Sequence, residues 1–436
     1  MKTVDYDKDI RALILILVCL VGVLGYVTFV KFTYKSNTSG GESGGGGEVV
    51  IDNTNLFNGS FISNVDAVAG TDNYLVSPYS VEVALNMLKE GADGTTLDEI
   101  NSVITEGTIS TFDIKDRIGI ANALFIKNMY KDYVNEDFVS SLSNMYGAEI
   151  IYDEFNTPDE INKWCKEKTW DMIDKVVDDI SKDYVLGIAN AVAIDVDWKQ
   201  SFECNNTTSG EFSKSDGSIM NVEMMHNTYS SDVKYFENDD YTGVVIPYSS
   251  YDSNGEISED GSNLEFVGIL PTGSISDFIS NNSTLDNIAN DATEASSDKN
   301  VVVSLPRFSY SYELSDFASV LKSMGIASVF DSVNADLTKI ISRDDMSSLG
   351  IENLYVSKAV HKTYIDLNEK GTKAAAVTYL QIEKNSVDVE ESEKFEIEFN
   401  KPFVFMIRDS VTKEMLFFGT VYTPNEWKGS TCSNNE

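Results

Sequence analysis

The sequence is poor in the residues that build metal and nucleophile chemistry. It has two histidines, His226 and His361, and four cysteines, Cys19, Cys165, Cys204 and Cys432. No Cys-x-x-Cys pair and no Cys/His spacing of the kind that holds structural zinc occurs, and no cofactor is called for. Cys19 lies inside an apolar run, which leaves room for one disulfide among Cys165, Cys204 and Cys432, with no preference between the pairings. Positive charge is short as well: 33 Lys and Arg stand against 70 Asp and Glu, a formal net charge of −37. Such a surface repels phosphate backbones and argues against nucleic acid as a partner. It favours solubility and steers basic partners, proteases with basic surfaces among them. Proline is scarce, with seven in 436 residues, so little interrupts long strands. What is present in quantity is core material: 42% of residues are hydrophobic, with 22 Phe and 21 Tyr.

Charge and proline are both missing from residues 12–30, ALILILVCLVGVLGYVTFV. As a helix this run spans roughly 28 Å, enough for a bilayer core. It shows no polar face, which a buried soluble helix of that length would carry. A cleaved signal peptide would have a shorter apolar core ending in small residues, whereas this run leads into Lys31, Phe32 and Tyr34. The segment therefore reads as an uncleaved single-pass signal anchor. Lys2, Lys8 and Arg11 precede it and Lys31 and Lys35 follow, a small bias that, together with the resemblance of the body given below, puts residues 1–11 in the cytoplasm and the body outside the cell. Residues 31–50, with KSNTSGGESGGGGE at 35–48, have flexible linker composition. The folded body is placed at 51–427, ahead of a short tail at 428–436, and is expected to be a monomer.

The body shows no second linker and no internal repeat, and the acidic, Ser/Asn/Gly-rich stretches at 249–263 and 296–300 read as loops. Its first half is mainly helical in pattern. Residues 80–90 follow a Ser-Pro start and carry Val81, Ala84, Leu85 and Leu88 at helical spacing. Further helices are predicted at 96–104, 110–118 and 135–146. A long one is predicted at 160–180, with Ile173, Val177 and Ile180 on one face and Ile161 and Trp164 at its start. Strands are predicted at 184–195, 244–247, 264–270, 301–308, 361–367, 395–399, 403–408 and 415–421, with a helix at 314–324 closed by Gly325. The pattern is α+β with large, mostly antiparallel sheets.

Short motifs recur in a definite order: NYLVSPYSVEVALNMLKEGADGTTLDEI (73–100), NALF (122–125), YGAE (146–149), Asn190-Ala191 with Trp198, LPRFS (305–309), VSKAVH (356–361), NEKGTKAAAVT (368–378), FNKPF (399–403) and Phe417-Phe418-Gly419. In order and spacing the body resembles the serpin family from about Leu56 to Asn425. The resemblance implies the serpin fold, helices around large sheets with an exposed reactive-centre loop, and a protein that is no enzyme. It implies a suicide inhibitor of an endopeptidase, serine or cysteine, whose cut loop enters a sheet as a new strand and distorts the protease held on it. It also assigns a hinge at Glu369, Gly371, Thr372, Ala374, Ala375, Ala376 and Thr378. It assigns a shutter where strands part, at Ser77, Ser80, Asn190 and His361, with His361 buried and bonded to Asn190 or a Ser. Trp198 falls in the breach above them. Departures are Ile194 in place of an aromatic, Val196 in place of Gly and Lys373 in place of Glu.

The bait loop at 369–386 meets the physical demand of insertion independently. A strand entering a formed sheet alternates with period two. Thr372, Ala374, Ala376, Thr378, Leu380 and Ile382 are small or apolar and suit the inner face. Lys373, Ala375, Val377, Tyr379, Gln381 and Glu383 fall on the other, and no proline interrupts the run. By family spacing the scissile bond is Asn385–Ser386, which suits an Asn-preferring cysteine protease. A shift of one residue makes it Lys384–Asn385, which suits a trypsin-like serine protease, and Glu383 is a third possibility. A non-inhibitory surface binding module is the alternative class, and the small hinge residues argue against it. A Ser-His-Asp protease is disfavoured because the body has no Gly-x-Ser-x-Gly elbow.

Overall fold

The computed structural model describes residues 53–104, 118–251, 257–258, 262–280, 282–296, 300–314, 316–372 and 394–429. The apolar run at 12–30, the linker, all but the last residue of the helix predicted at 110–118, and the loop from Lys373 through Ser386 lie outside these residues. Among the described residues no helix is long and apolar enough to cross a membrane.

In chain order the body runs α1 (Asn53–Ala69), β1 (Leu75–Val76), α2 (Pro78–Gly91), α3 (Gly94–Val103), β2 (Ile118–Lys127), α4 (Glu136–Tyr146), β3 (Glu149–Asp153), α5 (Asp159–Lys168), β4 (Leu186–Ile194) and β5 (Val196–Asp197). Then come β6 (Thr208–Ser213), β7 (Ile219–Tyr229), β8 (Lys234–Glu237), β9 (Tyr241–Pro247), β10 (Ser250–Tyr251), β11 (Ile257–Ser258), β12 (Leu264–Pro271), α6 (Ile275–Ser280), α7 (Asn282–Glu294), β13 (Asn300–Pro306) and β14 (Phe308–Glu313). The chain closes with α8 (Phe317–Ser323), α9 (Arg343–Leu349), β15 (Lys362–Leu367), β16 (Gly371–Thr372), β17 (Lys394–Glu398), β18 (Phe403–Asp409) and β19 (Met415–Val421).

Among the described residues three sheet systems result, beside a two-stranded hairpin of β10 and β11 within the stretch 249–263 that was expected to be a loop. A six-stranded sheet, β1-β19-β18-β12-β9-β8, forms the centre. Every residue of β18 and β19 is buried, which is why both read as unbroken apolar runs rather than alternating ones. A four-stranded sheet orders β17-β13-β7-β6, with β17 parallel to β13 and the other pairs antiparallel. The third system consists of β3-β2-β4 and β14-β15-β16-β5, two parts joined because β5 continues β4 after the single residue Asp195. Phe308 on β14 lies against Phe403 and Phe405 on β18, at ring separations of 6.0 and 5.1 Å, so the third system packs on the first through aromatic contacts.

The mixed α+β architecture with mostly antiparallel sheets is as the residue pattern predicts. Helix α2 starts where expected, with Pro78 in its first turn and Ser77 Oγ accepting from Ser80 N. Helix α4 follows the Asn135 cap, and Gly325 takes φ +108 after α8. Two expectations are corrected. Residue 118, predicted to end a helix, begins β2. The helix predicted at 160–180 ends at Lys168. Trp170 and Asp171 take φ of 48° and 64°, which no helix interior allows. Asn162 then folds the chain back: its Oδ1 accepts from Val176 N and Val177 N at 2.8 and 3.0 Å, and its Nδ2 donates to Val177 O at 2.8 Å. Of the predicted face, Ile173 and Ile180 meet apolar partners, Phe125 and Trp164 among the core they pack on, but as an extended strap, with Val176 rather than Val177 beside them.

Candidate functional site

The four residues assigned below the opening come together around the junction of β1, α2, β4 and β15. Ser77 N donates to His361 Nε2 at 3.0 Å, with both residues buried. The rings of Phe61 and Phe317 lie 6.2 and 5.6 Å from the imidazole. Burial pushes the His361 pKa down to about 4, so the ring is neutral at physiological pH and free to accept. The partner is Ser77, one of the two expected, and it bonds through its backbone N–H. Ser80 Oγ donates to Asn190 Oδ1, Asn190 Nδ2 donates to Asn122 Oδ1 at 2.8 Å, and Asn122 Nδ2 donates to Tyr146 O at 2.8 Å. A polar line therefore runs from α2 through β4 and β2 to the end of α4. Each buried group along it is partnered, and opening the strands breaks a bond worth about 1 kcal/mol net at each step.

Higher up, a second cluster holds the base of the loop. Trp198 N donates to Lys370 O at 2.7 Å, and its Nε1 donates to Asn368 O at 2.9 Å. Its ring stacks on Tyr248 at 4.6 Å, and Tyr248 OH meets Thr372 Oγ1 at 2.6 Å. Glu369 is buried; its Oε2 accepts from Arg307 Nε at 2.7 Å, and its Oε1 accepts from Arg307 and from Thr207 Oγ1. Glu369 O accepts from Phe202 N at 2.9 Å, and Glu223 stands 3.6 Å from Arg307 on its other side. The pair is bidentate and enclosed, so removing one partner strands a buried charge.

Beyond Glu369, Gly371 pairs with Asp197 and Thr372 with Val196, while Thr372 also pairs with Leu367 of β15. Only glycine fits there: a Cβ on Gly371 would lie 2.0 Å from Val196 O. Below this point no backbone pairing joins β4 to β15 among the described residues. A narrow cleft with a volume of about 20 Å³ lies between them, lined by Val192, Ala193 and Ile194 on one side and Tyr364, Ile365 and Asp366 on the other. Thr372 stands among its lining residues, and Thr169, Met172 and Ile173 of the strap contribute to the same wall. Gly371 and Thr372 thus begin a short strand beside this cleft.

A family model described as serpin, serine protease inhibitor, matches residues 52–424. The chain belongs to the serpin family. Similar proteins include an uncharacterised serpin-like protein of Thermococcus kodakarensis, 29% identical over 384 residues with 83% of each chain covered. Iripin-5 of Ixodes ricinus is 29% identical over 374 residues, covering 80% of this chain and 88% of that one. The crystal structure of the thermophilic serpin tengpin in its native state matches with a TM-score of 0.71 at 28% identity, over 88% of this chain and 96% of that one. This serpin places Ser77, Ser80, Asn190 and His361 in one cluster and Trp198, Glu369, Gly371 and Thr372 in the other. Ala374, Ala375, Ala376, Thr378, Lys384, Asn385 and Ser386 lie outside the described residues. Ile194 and Val196, departures from the family pattern, are simply buried. Arg307, Glu223, Thr207, Tyr248 and Asn122 went unassigned from sequence. Arg307 did carry a signal, as a lone cation between the apolar runs that become β13 and β14.

Proposed function

We propose that this serpin is a covalent, loop-inserting inhibitor of an extracellular endopeptidase, held at the outer membrane surface by residues 12–30 and acting as a monomer. The observation that carries the reading is the seat of Gly371 and Thr372 between β5 and β15, at one end of the gap between β4 and β15. A chain continuing from Thr372 with small residues on its inner face can extend along that gap and satisfy both strand edges. The target's Ser or Cys nucleophile attacks the carbonyl of Asn385 or Lys384, the amine of the next residue leaves, and an acyl-enzyme forms. Insertion then competes with water for that ester or thioester. The chain supplies no catalytic group of its own; it supplies bait and stored conformational energy. The linker at 31–50 gives the body reach from the bilayer, and the acidic surface favours encounter with basic proteases.

Incubation of the purified protein with trypsin-like and Asn-preferring proteases, followed by a denaturing gel, tests this. The expected product is a band at the combined mass of the protease and the cleaved serpin. Cleavage near 384–386 with no such band under any protease contradicts inhibition and favours the binding-module class.

A further inference from the structure

The chain beyond β19 is fastened in two steps. Asn73 holds it first: its Oδ1 accepts from Tyr422 N and Thr423 N at 2.7 and 2.9 Å, and its Nδ2 donates to Thr423 O at 2.8 Å. Three backbones then close a ring. Arg307 N donates to Glu223 O at 2.8 Å, Glu223 N donates to Asn425 O at 3.3 Å, and Asn425 N donates to Arg307 O at 3.0 Å. Asn425 Oδ1 also accepts from Ser309 N at 3.2 Å. Past it, Glu426 bridges Val222, and Trp427 N donates to Asn221 O at 2.9 Å. Two of the three ring members are the residues around the hinge anchor: Arg307, which grips Glu369, and Glu223, on the other side of Arg307. We propose that Asn425 is a positioning residue for the hinge, and that the segment 425–427 sets where the Arg307 guanidinium points and so how firmly Glu369 holds the base of the loop. Its bearing on inhibition rests on the inhibitor reading; the coupling itself does not.

Arg307 needs such a support. It falls at the corner between β13 and β14, outside both strands, and its backbone N–H and C=O find their partners in this ring. Its neighbour Phe308 pairs with Leu367, two residues before Glu369, so the two ends of the ion pair meet where the β14–β15 ladder stops. A bidentate guanidinium–carboxylate pair is planar and exacting in geometry, so a small rotation of the Arg307 backbone disturbs both of its bonds together. Glu223 is buried, so its N–H has no ready water to replace Asn425 O. Were the segment only a cover for the edge of β7, its loss would loosen residues 221–223 and leave the grip on Glu369 unchanged.

Hydrogen exchange on the full chain, with no protease present, tests the coupling separately from inhibition. The reporters are Phe202 N, which donates to Glu369 O, and Trp198 N, which donates to Lys370 O. Leu314 N, which donates to His361 O at the start of β15, is the reference. Asn425→Pro removes the donor to Arg307 O and should speed exchange at Phe202 and Trp198 by at least about fivefold, as the loss of one backbone hydrogen bond would, with Leu314 unchanged. Glu369→Gln should speed the same two amides. In that background Asn425→Pro should add less than about twofold, because both changes act through Arg307. Unchanged exchange at Phe202 and Trp198 in Asn425→Pro, or an undiminished fivefold increase on top of Glu369→Gln, overturns the proposal. If Leu314 also accelerates, the fold at large has loosened and Asn425→Ala decides, since it removes only the Ser309 bond. About twofold faster exchange at Phe202 and Trp198 alone is then expected, and no difference from the wild type overturns the coupling.

Discussion

At neutral pH the His361 ring is uncharged, with its one proton on Nδ1, because the ring is buried and Nε2 accepts from Ser77 N. In an unfolded chain the same ring titrates near 6.5, so acid adds a proton to the unfolded state before the folded one. The depressed pKa therefore contributes stability that is fully present above about pH 6.5 and is lost as pH falls toward about 4, by about 3 kcal/mol in all. His361→Gln keeps an acceptor without the titration, so its unfolding midpoint in urea should fall less between pH 7.5 and 4.5 than that of the wild type. Parallel curves would show that His361 is not the group responsible. His361, Ser77, Ser80 and Asn190 were legible because they sit in short motifs with fixed neighbours. The Arg307–Glu369 pair was not, since its members are 62 positions apart and only the fold makes them adjacent.

Among the elements, those that burial dictates on both faces were the easiest to read. β18 and β19 announce themselves as apolar runs, and β12 does nearly the same. β2 was missed because Gly119, Ala121, Asn122 and Ala123 lower its strand signal, yet close neighbours require small residues there: a Cβ on Gly119 would sit 3.1 Å from Lys168 O. β6 and β8 have mixed polar sequences that resemble loops, and their pairing to β7 and β9 depends on contacts no local window contains. The strap after α5 was misread for a related reason: its apolar spacing is helical, but Asn162 captures the backbone groups a helix would use. At the hinge, Gly371→Ala should expel residues 371–372 from between β5 and β15, because Val196 O leaves no room. Hydrogen exchange at Thr372 should accelerate at least about tenfold, equivalent to about 1.4 kcal/mol; unchanged protection would contradict the observed pairing. Further along, Ala376→Arg forces a cation toward the sheet interior. The ratio of cleaved product to covalent complex should rise at least about tenfold, and full inhibition by that variant would show that the alternation from Thr372 is out of register.

For the molecule as a whole, the fold was readable from the order of motifs over nearly the entire body, while the state of the gap between β4 and β15 was not. That gap is a property of two strand edges contributed by residues more than 150 positions apart. Among the described residues no strand joins β4 to β15 below Thr372, and a loop strand is the element that would join them. About a dozen ladder hydrogen bonds gained at ~1 kcal/mol each would raise the melting temperature of a domain this size by about 10 °C or more. Controlled cleavage within residues 380–386, followed by thermal melting of cut and intact protein side by side, tests this most directly. The inhibitor account predicts that the cut protein melts about 10 °C or more above the intact one; equal or lower melting of the cut protein would contradict loop insertion.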